Sequence, residues 1–190
     1  MLEPFVVATG VVAMAEIGDK TQLLTVVLAA RLRKPWPTLA GILVATLLNH
    51  ALAGSVGYLA ARFVPREALL WIVGLGFVGF GLWTLHPDSL DESPRLHKTG
   101  AFVTALIAFF LAEMGDKTQL ATVALAARFH ALWEVVAGTT AGMMLANIPA
   151  VWLGNGLAER LPMRAIRIVA ALLFIAIGAA TLLAPVRDML

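Results

Sequence analysis

Six runs of mostly apolar residues take up nearly the whole chain, at about 4–30, 37–61, 68–85, 100–127, 132–158 and 165–185. A helix that crosses the hydrocarbon core of a bilayer needs roughly 20 such residues, within a range of about 17–25. A soluble core of this size has no room for so many. Hydrophobic residues make up 60% of the 190 and charged residues 14%, against about 45–50% and about 25% in soluble domains. The surplus must face the lipid bilayer. The expected fold is an all-α integral membrane protein with six transmembrane helices. The third run is short for a crossing, and the first and fourth are long enough that they should tilt or break. The links, Arg31–Pro37, Arg62–Glu67, Leu85–Lys98 and Glu159–Met163, are short and polar or proline-bearing.

The chain also repeats itself. Glu16-Ile17-Gly18-Asp19-Lys20-Thr21-Gln22 returns 97 positions later as Glu113-Met114-Gly115-Asp116-Lys117-Thr118-Gln119. Ala29-Ala30-Arg31 matches Ala126-Ala127-Arg128, and Gly41 matches Gly138. With one residue inserted, Asn49 matches Asn147 and Arg62 matches Arg160. Each copy holds three spans, and three is odd, so the second copy enters the membrane in the opposite sense. The expectation is two inverted three-helix repeats, 1–86 and 99–190, joined by a cytoplasmic loop at 87–98. Arg31, Arg33, Lys34, Arg95, Lys98, Arg160, Arg164 and Arg167 fall on one side, and Arg62, Arg66, Arg128 and Arg187 on the other. The richer side is assigned to the cytoplasm. Both termini then face outward, and the acidic loop Asp88–Asp91–Glu92 faces inward. Glu3 and Pro4 at the N-terminus do not form the basic start of a cleavable signal peptide.

The duplicated motif puts charge where the bilayer least tolerates it. Glu16, Asp19, Lys20, Glu113, Asp116 and Lys117 lie near the centres of the first and fourth runs. Each costs about 2.5–3.5 kcal/mol at a helix midpoint, so they must face the bundle interior or a hydrated cavity. On a continuous helix, positions i, i+3 and i+4 share a face, which would project Glu16, Asp19 and Lys20 together. Gly18 and Gly115 inside the motifs permit local unwinding, which would free backbone carbonyls as further ligands.

If the two motif helices cross, four carboxylates converge with the amides of Gln22 and Gln119, and Asn49 and Asn147 complete an oxygen-rich cage. Lys20, Thr21, Lys117 and Thr118 supply charge and hydrogen bonds. Oxygen ligands suit Mn²⁺, Ca²⁺ and Mg²⁺. The chain has no cysteine, which excludes thiolate and iron–sulfur sites. Four carboxylates and two lysines sum to −2 when all are ionised, the charge that one divalent cation neutralises. Metal and proton would compete for the same oxygens, the physical minimum of a cation/proton antiporter. His50, whose repeat partner is Ile148, reads as a local hydrogen-bonder or a proton carrier rather than a ligand.

Paired Glu-x-Gly-Asp-Lys-Thr motifs in six spans resemble the family of small cation/proton exchangers that includes bacterial MneA-type manganese exporters. That family also has Golgi and chloroplast manganese/calcium transporters and is grouped with the cation/calcium exchanger superfamily. The resemblance covers nearly the whole chain, and both motifs are intact. It implies Glu16, Asp19, Glu113 and Asp116 as the ion-binding acids. It further implies export of Mn²⁺, with Ca²⁺ also accepted, driven by proton entry across a bacterial inner membrane.

Other classes fit less well. A cation channel would use the same acids, but lysines beside each aspartate repel cations in single file. An exporter of amino acids or small organic cations would need more aromatic lining near the motif. No nucleophile–base pair or histidine-rich spacing points to an enzyme. A net charge of +2 without a basic cluster gives no nucleic-acid partner. No cofactor is expected beyond the transported cation, and the apolar helix faces permit a homodimer without requiring one.

Overall fold

The computed structural model describes residues 2–86, 100–153 and 163–187. They form eight helices: α1 (Leu2–Glu16), α2 (Lys20–Leu32), α3 (Pro35–Phe63), α4 (Arg66–Thr84), α5 (Ala101–Glu113), α6 (Lys117–Phe129), α7 (Leu132–Leu153) and α8 (Met163–Arg187). The described residues contain no strand. The acidic stretch Asp88–Glu92 and the Arg160 match fall outside the described residues.

Four of the six apolar runs are single helices long and apolar enough to cross a membrane: α3, α4, and the stretches Leu132–Trp152 and Arg164–Leu183. The other two runs break. The first divides between α1 and α2, the fourth between α5 and α6, and each break falls inside the charged motif. The expectation of one helical face carrying Glu16, Asp19 and Lys20 is therefore corrected. Glu16 ends α1, Asp19 caps α2, and Lys20 is the first residue of α2.

The two copies pack by exchanging partners. Glycine in α3 lets the backbone of α5 come close: a Cβ on Gly41 would lie 2.5 Å from the Phe102 carbonyl oxygen and 2.9 Å from Ala105 Cβ. In the other copy, a Cβ on Gly138 of α7 would meet the Phe5 carbonyl at 2.5 Å and Ala8 Cβ at 2.9 Å, both in α1. The three pairs of counterparts, Gly41 and Gly138, Phe5 and Phe102, Ala8 and Ala105, are all related by the same 97-residue offset. Lipid tails are as apolar as leucine, so such close approach gains stability by van der Waals contact rather than by escape from water.

The ends of the half-helices match as well. Arg33 and His130 both adopt left-handed backbone with φ 51°, and their N–H groups bond the carbonyls of Ala29 and Ala126. These bonds satisfy carbonyls that a helix end would otherwise orphan.

Helix α4 runs along α8. Gly74, Gly81 and Gly178 sit where a Cβ would strike Leu182, Ile175 or the facing backbone. Phe77 stacks on Phe174 with centroids 6.1 Å apart, and Phe80 meets both rings edge-on. Gly76 and Gly79 of the same glycine-rich span take no part in this seam: nothing lies within 4 Å of a Cβ at Gly79. Two apolar clusters form the core. One draws on α1, α4, α6, α7 and α8 around Phe77 and Phe174, the other on α1, α2, α3, α5 and α7 around Leu28 and Phe109. Glu16, Asp19, Gln22, Asn49, Glu113, Asp116, Lys117 and Asn147 are buried as well.

Candidate functional site

The break in each long run is a β-turn. The Asp116 N–H bonds the Glu113 carbonyl at 3.2 Å, Met114 has φ −62° and ψ 122°, and Gly115 has φ +77°. That is a type II turn, whose third residue needs a positive φ that glycine adopts without cost. The first copy repeats it, with Asp19 N–H on Glu16 carbonyl at 3.1 Å and Gly18 at φ +80°. Each turn is then clamped by the glutamine of its own motif. Gln22 Oε1 accepts from the Gly18 N–H and Gln119 Oε1 from the Gly115 N–H, both at 2.7 Å. This is a capping box reaching one residue further back than usual. The aspartates sit at the N-caps of α2 and α6 in extended conformation, where the positive end of the helix dipole favours an anion.

Threonine ties each glutamate to its turn. Thr21 Oγ1 donates to Glu16 Oε2 at 2.5 Å and lies 3.4 Å from Asp19 Oδ2. In the second copy Thr118 donates to Glu113 and lies 3.5 Å from Asp116 Oδ2.

The lysines reach across. Lys20 Nζ pairs with Asp116 at 2.8 Å, and Lys117 pairs with Asp19. Each motif thus neutralises the other's aspartate, an arrangement hidden in the sequence because the partners are nearly a hundred residues apart. Neither glutamate carboxyl is in a salt bridge among the described residues. Each has a buried oxygen with no hydrogen-bond partner there: Oε1 of Glu16 and Oε2 of Glu113. Carboxylate oxygens of Glu16, Asp19 and Asp116 all lie within 4.8 Å of one another. Glu113 lies outside that trio.

The amides are placed around this centre and are busy. Gln22 Nε2 donates to the Ala146 carbonyl at 2.9 Å, and Asn147 Oδ1 accepts from Thr25 at 2.6 Å while its Nδ2 donates to the Met143 carbonyl. Asn49 Nδ2 donates to the Phe110 carbonyl at 3.1 Å, and its Oδ1 lies 3.5 Å from Gln119 Nε2. The four amides therefore tie the turns to α3, α5 and α7. Thr25 joins this network and carries no signal in the motif itself.

His50 is fully buried, and neither ring nitrogen has a hydrogen-bond partner among the described residues. The expected local hydrogen bond is not made there.

The two copies differ in their access to the surroundings. The Lys20 side chain is 28% exposed and that of Lys117 4%.

A family model described as "Divalent cation/proton antiporter GDT1" matches the chain over residues 4–92 and 101–189. A protein of Vibrio cholerae serotype O1 carrying the provisional name manganese exporter is 48% identical over 171 residues, 90% of this chain and 86% of that one. GDT1-like protein 5 of Arabidopsis thaliana is 30% identical over 98% of both chains. A GDT1-like protein of Synechocystis is 27% identical over 92% of this chain and 94% of its own. No solved structure shows a significant match.

Proposed function

This chain belongs to the divalent cation/proton antiporter family GDT1, and from that premise we propose that it exports Mn²⁺, and secondarily Ca²⁺, in exchange for protons. The observation that carries the reading is the charge left at the centre. Two reciprocal lysine–aspartate pairs cancel, and two buried glutamates remain, each with an oxygen that has no hydrogen-bond partner among the described residues. One divalent cation, or two protons, balances that residue of charge. Occupancy by one excludes the other, which is what couples their movements.

In this proposal Glu16, Asp19, Asp116 and Glu113 hold the cation. Gln22, Gln119, Asn49 and Asn147 fix the turns, and each amide oxygen keeps a lone pair for the cation beside the hydrogen bond it accepts. An all-oxygen set favours hard or borderline cations over copper(I) and zinc. The mechanism is alternating access across six crossings, two of them broken, in two inverted repeats spanning 1–86 and 99–190 about a loop at 87–98. The unequal exposure of Lys20 and Lys117 supports a state open on one side. Exchanging the surroundings of the two copies would open the other. The orientation proposed has both termini outside, in a bacterial inner membrane.

The test is reconstitution in liposomes with a metal-sensitive dye and a pH probe inside. Saturable Mn²⁺ uptake with proton efflux, lost in Glu16→Gln and Asp116→Asn, is the expected result. Flux that persists in both variants moves the cation site elsewhere. Flux of neither ion in the wild type removes the metal reading.

A further inference from the structure

Away from the carboxylates, a cavity of about 270 Å³ opens between α4 and the end of α6, lined by Arg66, Leu69, Leu70, Val73, Arg128 and His130. Its chemistry is divided. Arg66 at the start of α4 and Arg128 and His130 at the end of α6 supply its basic lining, and Leu69, Leu70 and Val73 follow Arg66 along α4. A ligand that fills it must therefore be anionic at its head and hydrocarbon behind.

The level of this cavity in the membrane follows from the aromatic residues. Trp36, at the start of α3, meets Trp152, at the end of α7, with ring centroids 5.6 Å apart, and Trp83 lies at the end of α4. Trp71 and Trp133 lie near the starts of α4 and α7, beside the end of α3 with its exposed Phe63. All five tryptophans are exposed and sort to the two ends of the bundle. Tryptophan collects at the headgroup level of a bilayer. The cavity's arginines stand at the level of Trp71 and Trp133, where lipid phosphates lie.

A second cavity with the same divided lining, Leu85, Arg164, Arg167 and Ile168 at about 410 Å³, opens at the opposite end. Arg164 occupies the repeat position of Arg66, by the same one-residue-shifted offset that relates Asn49 to Asn147. Ile168 likewise occupies the repeat position of Leu70, while the second arginine differs: Arg167 stands at the position of Leu69, and the counterpart of Arg128 is Arg31.

We propose that the cavity between α4 and α6 binds the headgroup phosphate of an anionic phospholipid. Arg66 and Arg128 grip the phosphate oxygens, and one acyl chain lies along Leu69, Leu70 and Val73. Glu3 is near enough to Arg128 to interact with its charge, and the headgroup competes with that carboxylate for the guanidinium.

Native mass spectrometry of the full chain in detergent tests this, with phosphatidylglycerol, phosphatidylcholine and inorganic phosphate as probes. The wild type should retain phosphatidylglycerol more tightly than phosphatidylcholine and should not retain inorganic phosphate. In R66Q/R128Q the count of tightly held phosphatidylglycerol should fall by one, with binding at this cavity weakened roughly thirtyfold. R66K/R128K keeps the charge and should keep most of the binding, which separates loss of the site from loss of the fold. Equal retention of the two lipids, or an unchanged phosphatidylglycerol count in a folded R66Q/R128Q, overturns the proposal. Retention of inorganic phosphate would assign the cavity to a free anion and overturn it equally.

Discussion

Reciprocal pairing of the two motifs predicts that the two lysines, identical in sequence context, differ in what they hold together. Lys117 is 4% exposed and pairs with a fully buried Asp19. Replacing it with methionine removes the cation from a carboxylate that water does not reach. Breaking a buried pair in this way costs about 3–5 kcal/mol. For a chain of this size about 1 kcal/mol moves the melting temperature by about 2–4 °C, so Lys117→Met should melt about 6–20 °C below the wild type. Lys20 pairs with an Asp116 that is buried too, but Lys20 itself is 28% exposed, so water can follow into the space its ammonium leaves beside that carboxylate. Lys20→Met should cost about 1–2 kcal/mol, or about 2–8 °C. The double variant Asp19→Asn with Lys117→Met removes both charges of the pair and should recover much of the loss. Tryptophan-fluorescence melting in detergent reads five proteins: the wild type, Lys117→Met, Lys20→Met, Asp19→Asn and the double variant. Equal losses for the two lysines, or a double variant that falls by the sum of its singles, would refute the reasoning.

Three further outcomes follow from the geometry. Gly115→Ala forces φ +77° on an alanine although nothing crowds its Cβ; it should cost about 1–2 kcal/mol, and Gly115→Asn should cost less, both read by melting. Gly41→Ala and Gly138→Ala each drive a Cβ to 2.5 Å from a facing carbonyl and should lose about 1–3 kcal/mol, whereas Gly79→Ala meets open space and should melt at or slightly above the wild type. His50→Leu replaces a buried ring without a hydrogen-bond partner among the described residues by an apolar side chain, so its melting temperature should hold or rise; a fall of more than about 5 °C would show that the ring is satisfied in the working protein.

Much of this was readable before any coordinates. The duplicated heptapeptide marked both the candidate site and the repeat, because charges in an apolar run have few physical excuses. Gly18 and Gly115 flagged positions that permit a helix to unwind. A glycine inside a helical pattern does not say whether the chain turns there, since that depends on the clamp Gln22 and Gln119 supply. The one-face arrangement of Glu16, Asp19 and Lys20 failed for that reason: helical periodicity was applied across a turn. The cross-pairing of Lys20 with Asp116 and of Lys117 with Asp19 could not be read, because spacing says nothing about contacts between segments so far apart. The amides were identified as polar residues in the right neighbourhood. Their hydrogen bonds to Ala146 and Phe110 carbonyls depend on helix docking, which no local pattern encodes. Gly74 and Gly79 look equivalent in sequence, yet one faces α8 and the other faces outward.

The reciprocal pairs also set a timetable for synthesis. Asp19 leaves the ribosome 98 residues before Lys117, an interval of roughly 5–20 s at about 5–20 residues per second. For that time the first half of the chain must hold Glu16, Asp19 and Lys20 in or beside the bilayer with no partner from the second half. Either the insertion machinery shelters those charges, or the first three helices stay loosely packed until the rest arrive. A chain stalled midway would then be recognisable to quality-control proteases by its unquenched acids, and a nonsense mutation in the second half should leave no stable fragment behind.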